Sequence, residues 1–205
     1  KSQSIMEYIF NMVLPIIAYG TPVLRAECEE FEEGTDLSEL ISNMHDTMYK
    51  ASGVGLAGPQ IGLAKRIFIV DASPFGDEEP ENEIEAKNFE VLKNFKKVFI
   101  NPIIEDETGK KWNFSEGCLS IPGIREEINR HSTITISYFD ANWNFLEESY
   151  TGIAARIIQH EYDHIEGVLF TDYLSPLKKR LLKRKLSDIS KGNISTNYRM
   201  KFPIK

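Results

Sequence analysis

Only two of the 205 residues are cysteine, Cys28 and Cys118. That is too few for a disulfide framework and points to a reducing, cytosolic setting. Long apolar runs are also missing. The one apolar stretch near the start, Met12 to Tyr19, is interrupted by Pro15 and is too short to span a bilayer. It lacks a strongly cationic start and a small-residue cleavage site, so it makes a poor signal peptide. Positive charge is not in excess either. A net charge of −7 argues against non-specific nucleic-acid binding by the molecule as a whole. No internal repeat is visible. What remains is 41% hydrophobic and 27% charged residues, a balance that suits one globular domain with a sizeable core. The expected location is cytoplasmic, with neither a membrane nor DNA as partner.

Along the chain, Gly20-Thr21-Pro22 marks a turn. Asp36–Lys50 predicts a helix, because Leu37, Leu40, Ile41, Met44 and Met48 fall on one face. Asp36 and Glu39 resemble a capping box at its start. Ala51–Ile61 is glycine-rich and reads as a loop. Arg66–Asp71 reads as a buried strand. Residues 72–90 hold seven acidic side chains against one Lys, with two prolines, and predict a solvated surface excursion. Strands are expected at Lys97–Asn101, around Ile103–Phe114 and at Thr133–Asp140. Phe145–Tyr150 should pair with the last of these across the Ala141–Asn144 turn. Gly152–Ile165 predicts a second helix that stops before Gly167, and Leu177–Ile189 a third.

The second helix carries His160-Glu161-Tyr162-Asp163-His164. Histidines at i and i+4 share a helix face, so both imidazoles can reach one ion. Glu161 is offset around the helix, where it can take a proton from a metal-bound water whose pKa the ion has lowered. A catalytic site of this kind needs a third protein ligand and an open position. One protease class supplies that ligand as His six residues past the second His, but here that place is Phe170. Another supplies a Glu from a following helix, and no Glu follows Glu166. Asp172 is a weak substitute. The upstream candidates are His45, His131 and Cys118. Cys118 is framed by turn-compatible residues and a proline in Ser115-Glu116-Gly117-Cys118-Leu119-Ser120-Ile121-Pro122. A backbone shaped in that way presents a thiolate, so Cys118 is the preferred third ligand, whereas Cys28 has no such frame.

Three segments in order resemble the peptide deformylase family. They are Gly53-Val54-Gly55-Leu56-Ala57-Gly58-Pro59-Gln60, then Glu116-Gly117-Cys118-Leu119-Ser120, then Gln159-His160-Glu161-Tyr162-Asp163-His164. The resemblance runs from about Leu14 to about Leu174. It implies removal of the formyl group from N-formylmethionine on newly made polypeptides. It implies Cys118, His160 and His164 as ligands and Glu161 as the acid/base. It further implies Gln60 as an oxyanion donor, helped by the backbone N–H of Leu119. Val54, Gly55, Glu116, Gly117, Arg125 and Arg156 match positions that line or support the family's methionine pocket, with Arg156 a candidate rim charge. The cofactor it implies is one divalent ion, Fe(II) by expectation, with zinc, nickel or cobalt able to take its place in purified protein. The implied fold is α+β. Mixed and antiparallel strands pack around the central helix that carries the His-Glu-x-x-His motif, with further helices on its N-terminal and C-terminal sides.

The expected organisation is an N-terminal extension over 1–11 with Met12 a candidate natural start, and a catalytic domain over 12–174. A basic helix over 175–191 and a tail over 192–205 follow. Lys178-Lys179-Arg180 and Lys183-Arg184-Lys185 put six positive charges into eight residues of that helix. Such a helix can bind RNA by neutralising phosphates, and the resemblance implies docking on the ribosome surface. Two other readings compete with a deformylase: a peptidase or amidase on the same metal site, and a non-enzymatic ribosome-associated protein with a structural ion. A structural site closes with four protein ligands and has no use for Glu161, so the sequence favours an open, catalytic site.

Overall fold

The computed structural model describes residues 12–76 and 89–203. The extension 1–11 and most of the acidic excursion, 77–88, lie outside these residues. Nine strands are numbered here along the described chain: β1 (Ile16–Ile17), β2 (Gly55–Ala57), β3 (Ile67–Asp71), β4 (Lys96–Thr108), β5 (Trp112–Cys118), β6 (Ile121–Arg130), β7 (Thr133–Phe139), β8 (Phe145–Thr151) and β9 (Met200–Lys201). Three long helices accompany them: a first helix Ser38–Lys50, a central helix Gly152–Ile165 and a C-terminal helix Pro176–Ser190.

The main sheet runs β2-β3-β4-β7-β8, and every neighbouring pair in it is antiparallel. All five residues of β3 are buried, because it is covered on both faces. Successive side chains of a strand point to opposite sides. Phe68 and Val70 therefore join Phe99, Ile136 and Tyr138 under Ala155 and Ile158 of the central helix. Ile67 and Ile69 face the other way, against Met44 and Met48 of the first helix. A second core forms where the β5–β6 hairpin meets the C-terminal helix. There Ile121, Ile124 and Ile128 pack with Phe170, Leu182 and Ile189. This is the α+β arrangement that the sequence implies.

The helices start and stop close to where the apolar pattern places them, but the first one is capped differently from expectation. It begins at Ser38 with Leu37 at the N-cap and no side-chain cap. Asp36 Oδ1 instead accepts from the N–H and the hydroxyl of Ser38, which closes a local turn before the helix. Four strands have no counterpart among the expected elements: the two-residue β1 and β9, which pair with each other, and β2 and β6. β2 hides within the glycine-rich Ala51–Ile61 segment, followed by a 3₁₀ turn at Gly58–Ile61. β6 is concealed by an irregularity opposite the Gly117/Cys118 step, where Gly117 pairs with Arg125 but Cys118 pairs with Ile121. Gly123, at φ +73°, lies in the extra segment. A bulge breaks period-two alternation, so buried Ile121 and Ile124 stand three apart and no longer read as a strand. The expected strand around Ile103–Phe114 is in fact two, the end of β4 and the start of β5, separated at Gly109 (φ +75°).

The central helix ends in a Schellman motif. The Val168 N–H donates to Asp163 O at 2.8 Å and the Gly167 N–H to His164 O at 3.3 Å. Gly167 adopts φ +69°, and a Cβ there would come within 2.8 Å of Arg25 O. Both the backbone conformation and the space demand glycine. Gly167→Ala should therefore lower stability by at least ~1 kcal/mol, read as a lower urea midpoint with an unchanged slope. An unchanged midpoint would contradict this account of the cap.

Candidate metal centre

The centre forms where the end of β5 faces the middle of the central helix. His160 and His164 project from one helix face, and β5 delivers Cys118. The candidate ligand atoms of Cys118, His160 and His164 all lie within 4.8 Å of one another, and all three residues are buried. Cys118 Sγ is 3.3 Å from His164 Nε2. His160 places Nδ1 2.9 Å from Glu116 Oε2, which leaves Nε2 as its ligating atom. The other candidate ligands lie elsewhere. His45 Nδ1 meets Ile41 O, His131 Nδ1 meets Gly109 O, and Asp172 is paired with Arg25.

A thiolate and two imidazoles suit a borderline-soft divalent ion, with a fourth position open for water or substrate. The electrostatics agree. Burial disfavours a proton on His160, yet the Cys118 sulfur and the Glu116 carboxylate outweigh that burial and raise its pKa well above the ordinary value. The space between sulfur and imidazoles thus calls for positive charge. Burial, together with the neighbouring His160 and Arg130, holds His164 well below its ordinary pKa, in the neutral form that ligates.

Glu161 stands beside this group. Burial pushes its carboxyl up to about 7, and nearby His160 only partly offsets that. A carboxyl poised near neutrality is matched to proton transfer. Its Oε2 is buried and has no hydrogen-bond partner among the described residues. Room for the carboxyl comes from Gly55 on β2, where any Cβ would overlap the Glu161 carboxylate. Gly53 serves a similar purpose one step earlier, since a Cβ there would lie 2.8 Å from Leu119 Cδ1.

Gln60 is aimed by its own backbone turn. Its Oε1 accepts from the Ala57 N–H at 2.8 Å, which turns Nε2 toward Cys118 Sγ at 3.4 Å. The side-chain amide thus presents N–H beside the centre, next to Leu119. Val54, Gly55, Glu116, Gly117, Arg125 and Arg156 all border one cleft of about 570 Å³ with Gln60, Cys118, His160 and Glu161. Arg125 sits at its exposed side and donates to Ser115 O at 2.9 Å. Arg156 does not sit at the rim; it is 1% exposed. Its guanidinium donates to Glu116 Oε1, Ile128 O and Trp112 O and lies over the rings of Trp112 and Phe114.

Glu116 therefore gathers three partners. Arg130 binds it with two nitrogens at 2.7 and 3.0 Å, Arg156 adds a third bond, and His160 completes the set. Burial alone would raise its pKa, but the bonds from His160 and Arg130 win and hold it ionised. Arg130 also pairs with Asp163 of the central helix at 2.8 Å. The sequence marks neither Arg130 nor the pairing role of Asp163, which enters only as a spacer within the His160–His164 motif. An isolated Arg on a strand carries no mark of a distant buried partner.

Glu116→Gln leaves the buried Arg156 guanidinium without its anion and Arg130 with only Asp163. Breaking such a pair costs about 3–5 kcal/mol, to be measured by urea unfolding of the metal-free protein. A loss below ~1 kcal/mol would show that the network does not hold the fold together.

The chain matches the family model described as polypeptide deformylase over residues 13–180. It is 58% identical to a peptide deformylase of Christiangramia forsetii over 193 residues, covering 94% of this chain and 97% of the relative. It is 44% identical to one from Salinibacter ruber over 188 residues, covering 91% and 93%. Among solved structures, the peptide deformylase of Thermus thermophilus superposes with a TM-score of 0.74 at 33% identity, covering 88% of this chain and 99% of that one. The Legionella pneumophila peptide deformylase gives 0.72 at 32% identity, covering 89% and 98%.

Proposed function

This chain belongs to the polypeptide deformylase family, and on that premise we propose that Cys118, His160 and His164 hold its metal ion while Glu161 moves the proton. The family removes the N-formyl group from the N-terminal methionine of newly made polypeptides. The observation that supports this assignment of roles most directly is the buried Glu161 carboxyl, held near neutrality beside three converging ligand atoms.

A divalent ion in that place would acidify a bound water and polarise the formyl oxygen. The chain's own groups do the rest. Glu161 accepts the proton of the attacking water and returns it to the departing amine. Gln60 Nε2 and the Leu119 N–H donate to the oxygen as it gains charge; losing one such donor costs ~10²–10³ in rate. β2 is an edge strand of the sheet, so an extended peptide can lie along it by strand addition. Val54, Leu119, Ile124 and Ile157 offer apolar lining that suits a methionine side chain. Gly55, Gly117, Arg125 and Arg156 shape the same cleft, with Glu116 holding His160. Fe(II) is the proposed native ion, and zinc, nickel or cobalt are the proposed replacements. Elemental analysis after anaerobic purification tests that choice.

Formyl-Met-Ala should be hydrolysed while acetyl-Met-Ala is left nearly untouched; equal turnover of both, or cleavage within a longer peptide, would sink the deformylase reading. Glu161→Ala should keep its metal and lose activity by about three orders of magnitude or more, and unchanged turnover would remove Glu161 from proton transfer.

The proposed partners are the nascent formylated chain and the ribosome surface, with the cytoplasm as the site of action. No helix among the described residues is long and apolar enough to cross a membrane. The C-terminal helix buries Leu182 and Ile189 and exposes Arg180, Lys183, Arg184 and Lys185. None of these four forms an ion pair among the described residues, so they are available to phosphates. Reversing these four charges to Glu should abolish co-sedimentation with ribosomes at low salt and leave turnover of free formyl-Met-Ala intact. Undiminished co-sedimentation would rule out this helix as the docking element.

A further inference from the structure

The segment after the C-terminal helix turns back to the metal centre. Ser195, Thr196, Asn197 and Tyr198 line the same cleft as Gly53–Gly55, Cys118 and Glu161. They lie beyond residue 180, where the family match ends. The segment is anchored at both ends. Ile194 before it, and Met200 and Phe202 after it, pack against the core that contains Cys118 and Ile121. β9 pairs in parallel with β1, joining Ile16 to Met200 and Ile17 to Lys201. Thr196 Oγ1 donates to Tyr198 O at 2.7 Å and braces the turn from within.

Its most direct contact is with the proposed oxyanion loop. The Tyr198 hydroxyl donates to Leu119 O at 2.8 Å. The next carbonyl, Ser120 O, accepts from the Tyr19 N–H at 2.9 Å, just after β1. Two successive peptide groups next to Cys118 are thus gripped from outside by the two segments that β1 and β9 tie together. The Leu119 N–H can aim at a developing charge only while that loop keeps its orientation. Ser195 and Asn197 are exposed, and Ser195, Thr196 and Asn197 offer uncharged donors and acceptors. That chemistry matches the backbone of a peptide rather than a charged side chain.

We propose that Ser195–Tyr198 forms a wall of the substrate cleft, with Tyr198 positioning the Cys118–Ser120 loop and Ser195 and Asn197 binding the peptide beyond its formylmethionine. This rests on the deformylase reading of the same site. The wall makes Tyr198 a positioning residue for the reaction. It also makes the segment a determinant of how much of the nascent chain beyond the first residue is recognised.

The test compares the metal-loaded full chain on formyl-Met-amide and on formyl-Met-Ala-Ser. In the Ser195→Ala/Asn197→Ala double variant, KM for the longer substrate should rise about fivefold, as for the loss of one or two hydrogen bonds. Its KM for formyl-Met-amide and its kcat should stay within about twofold. Tyr198→Phe keeps the ring and loses only the hydroxyl. It should lower kcat about fivefold on both substrates with little change in KM, at unchanged metal content and a thermal midpoint within roughly 5 °C of the parent. A double variant whose KM values shift by the same factor for both substrates, or not at all, overturns the recognition role. Unchanged kcat in Tyr198→Phe overturns the positioning role. A parent protein inert on both formyl substrates sinks the deformylase reading itself, a result distinct from either of these.

Discussion

The structure around the centre depends on one buried carboxylate. Glu116 receives His160, Arg130 and Arg156 together, and it lies two residues before Cys118. A carboxylate in that position would be costly if unpaired. Surrounded by two guanidinium groups and an imidazole, it becomes the point where β5, β6 and the central helix are fastened to one another. The bond to His160 Nδ1 also fixes which nitrogen faces the ligand site and increases the basicity of that nitrogen. Fold and chemistry thus share a side chain, and Arg130 extends the network to Asp163 on the next turn of the helix.

Space is the second constraint. The His-Glu-x-x-His spacing places Glu161 off the axis of the two imidazoles, where its carboxyl points at β2. That approach is open only because Gly55 has no side chain. Dryness follows from the same closeness. With β2 packed against it, the carboxyl is desolvated and its pKa moves up to about 7. An Asp or Glu on the surface would stay fully ionised at neutral pH and be a poorer match to the proton transfer proposed for Glu161. The glycines of the first motif therefore act on the chemistry through the dielectric surroundings of a residue far away in sequence.

Much of this was readable from the residues in order. The central helix was legible to its ends because its apolar face is regular and Gly167 marks its stop. The clustering of the three candidate ligands was legible because His160 and His164 share one helix face and Cys118 sits in a constrained turn. β6 was not legible, since a bulge destroys the alternation that identifies strands. β2 was hidden by the glycines that the site itself requires. Arg130 and Tyr198 were invisible for a different reason. Each owes its place to a partner chosen by tertiary packing, and neither has a local pattern that distinguishes it from a surface residue. Arg156 could be read as a charge near the site, but only the structure shows it buried under Trp112 and Phe114.

The pairing of β1 with β9 is the most distant in sequence of the strand pairings. Ile16 lies beside Met200 and Ile17 beside Lys201. On either side of that pair the Tyr19 N–H reaches Ser120 O and the Tyr198 hydroxyl reaches Leu119 O. Closing so long a loop of chain carries a large entropy cost, offset only once the sheet and the helices between the two strands are in place. One side of the cleft is therefore built from the least local contacts of the molecule, and its order depends on the rest of the fold beneath it.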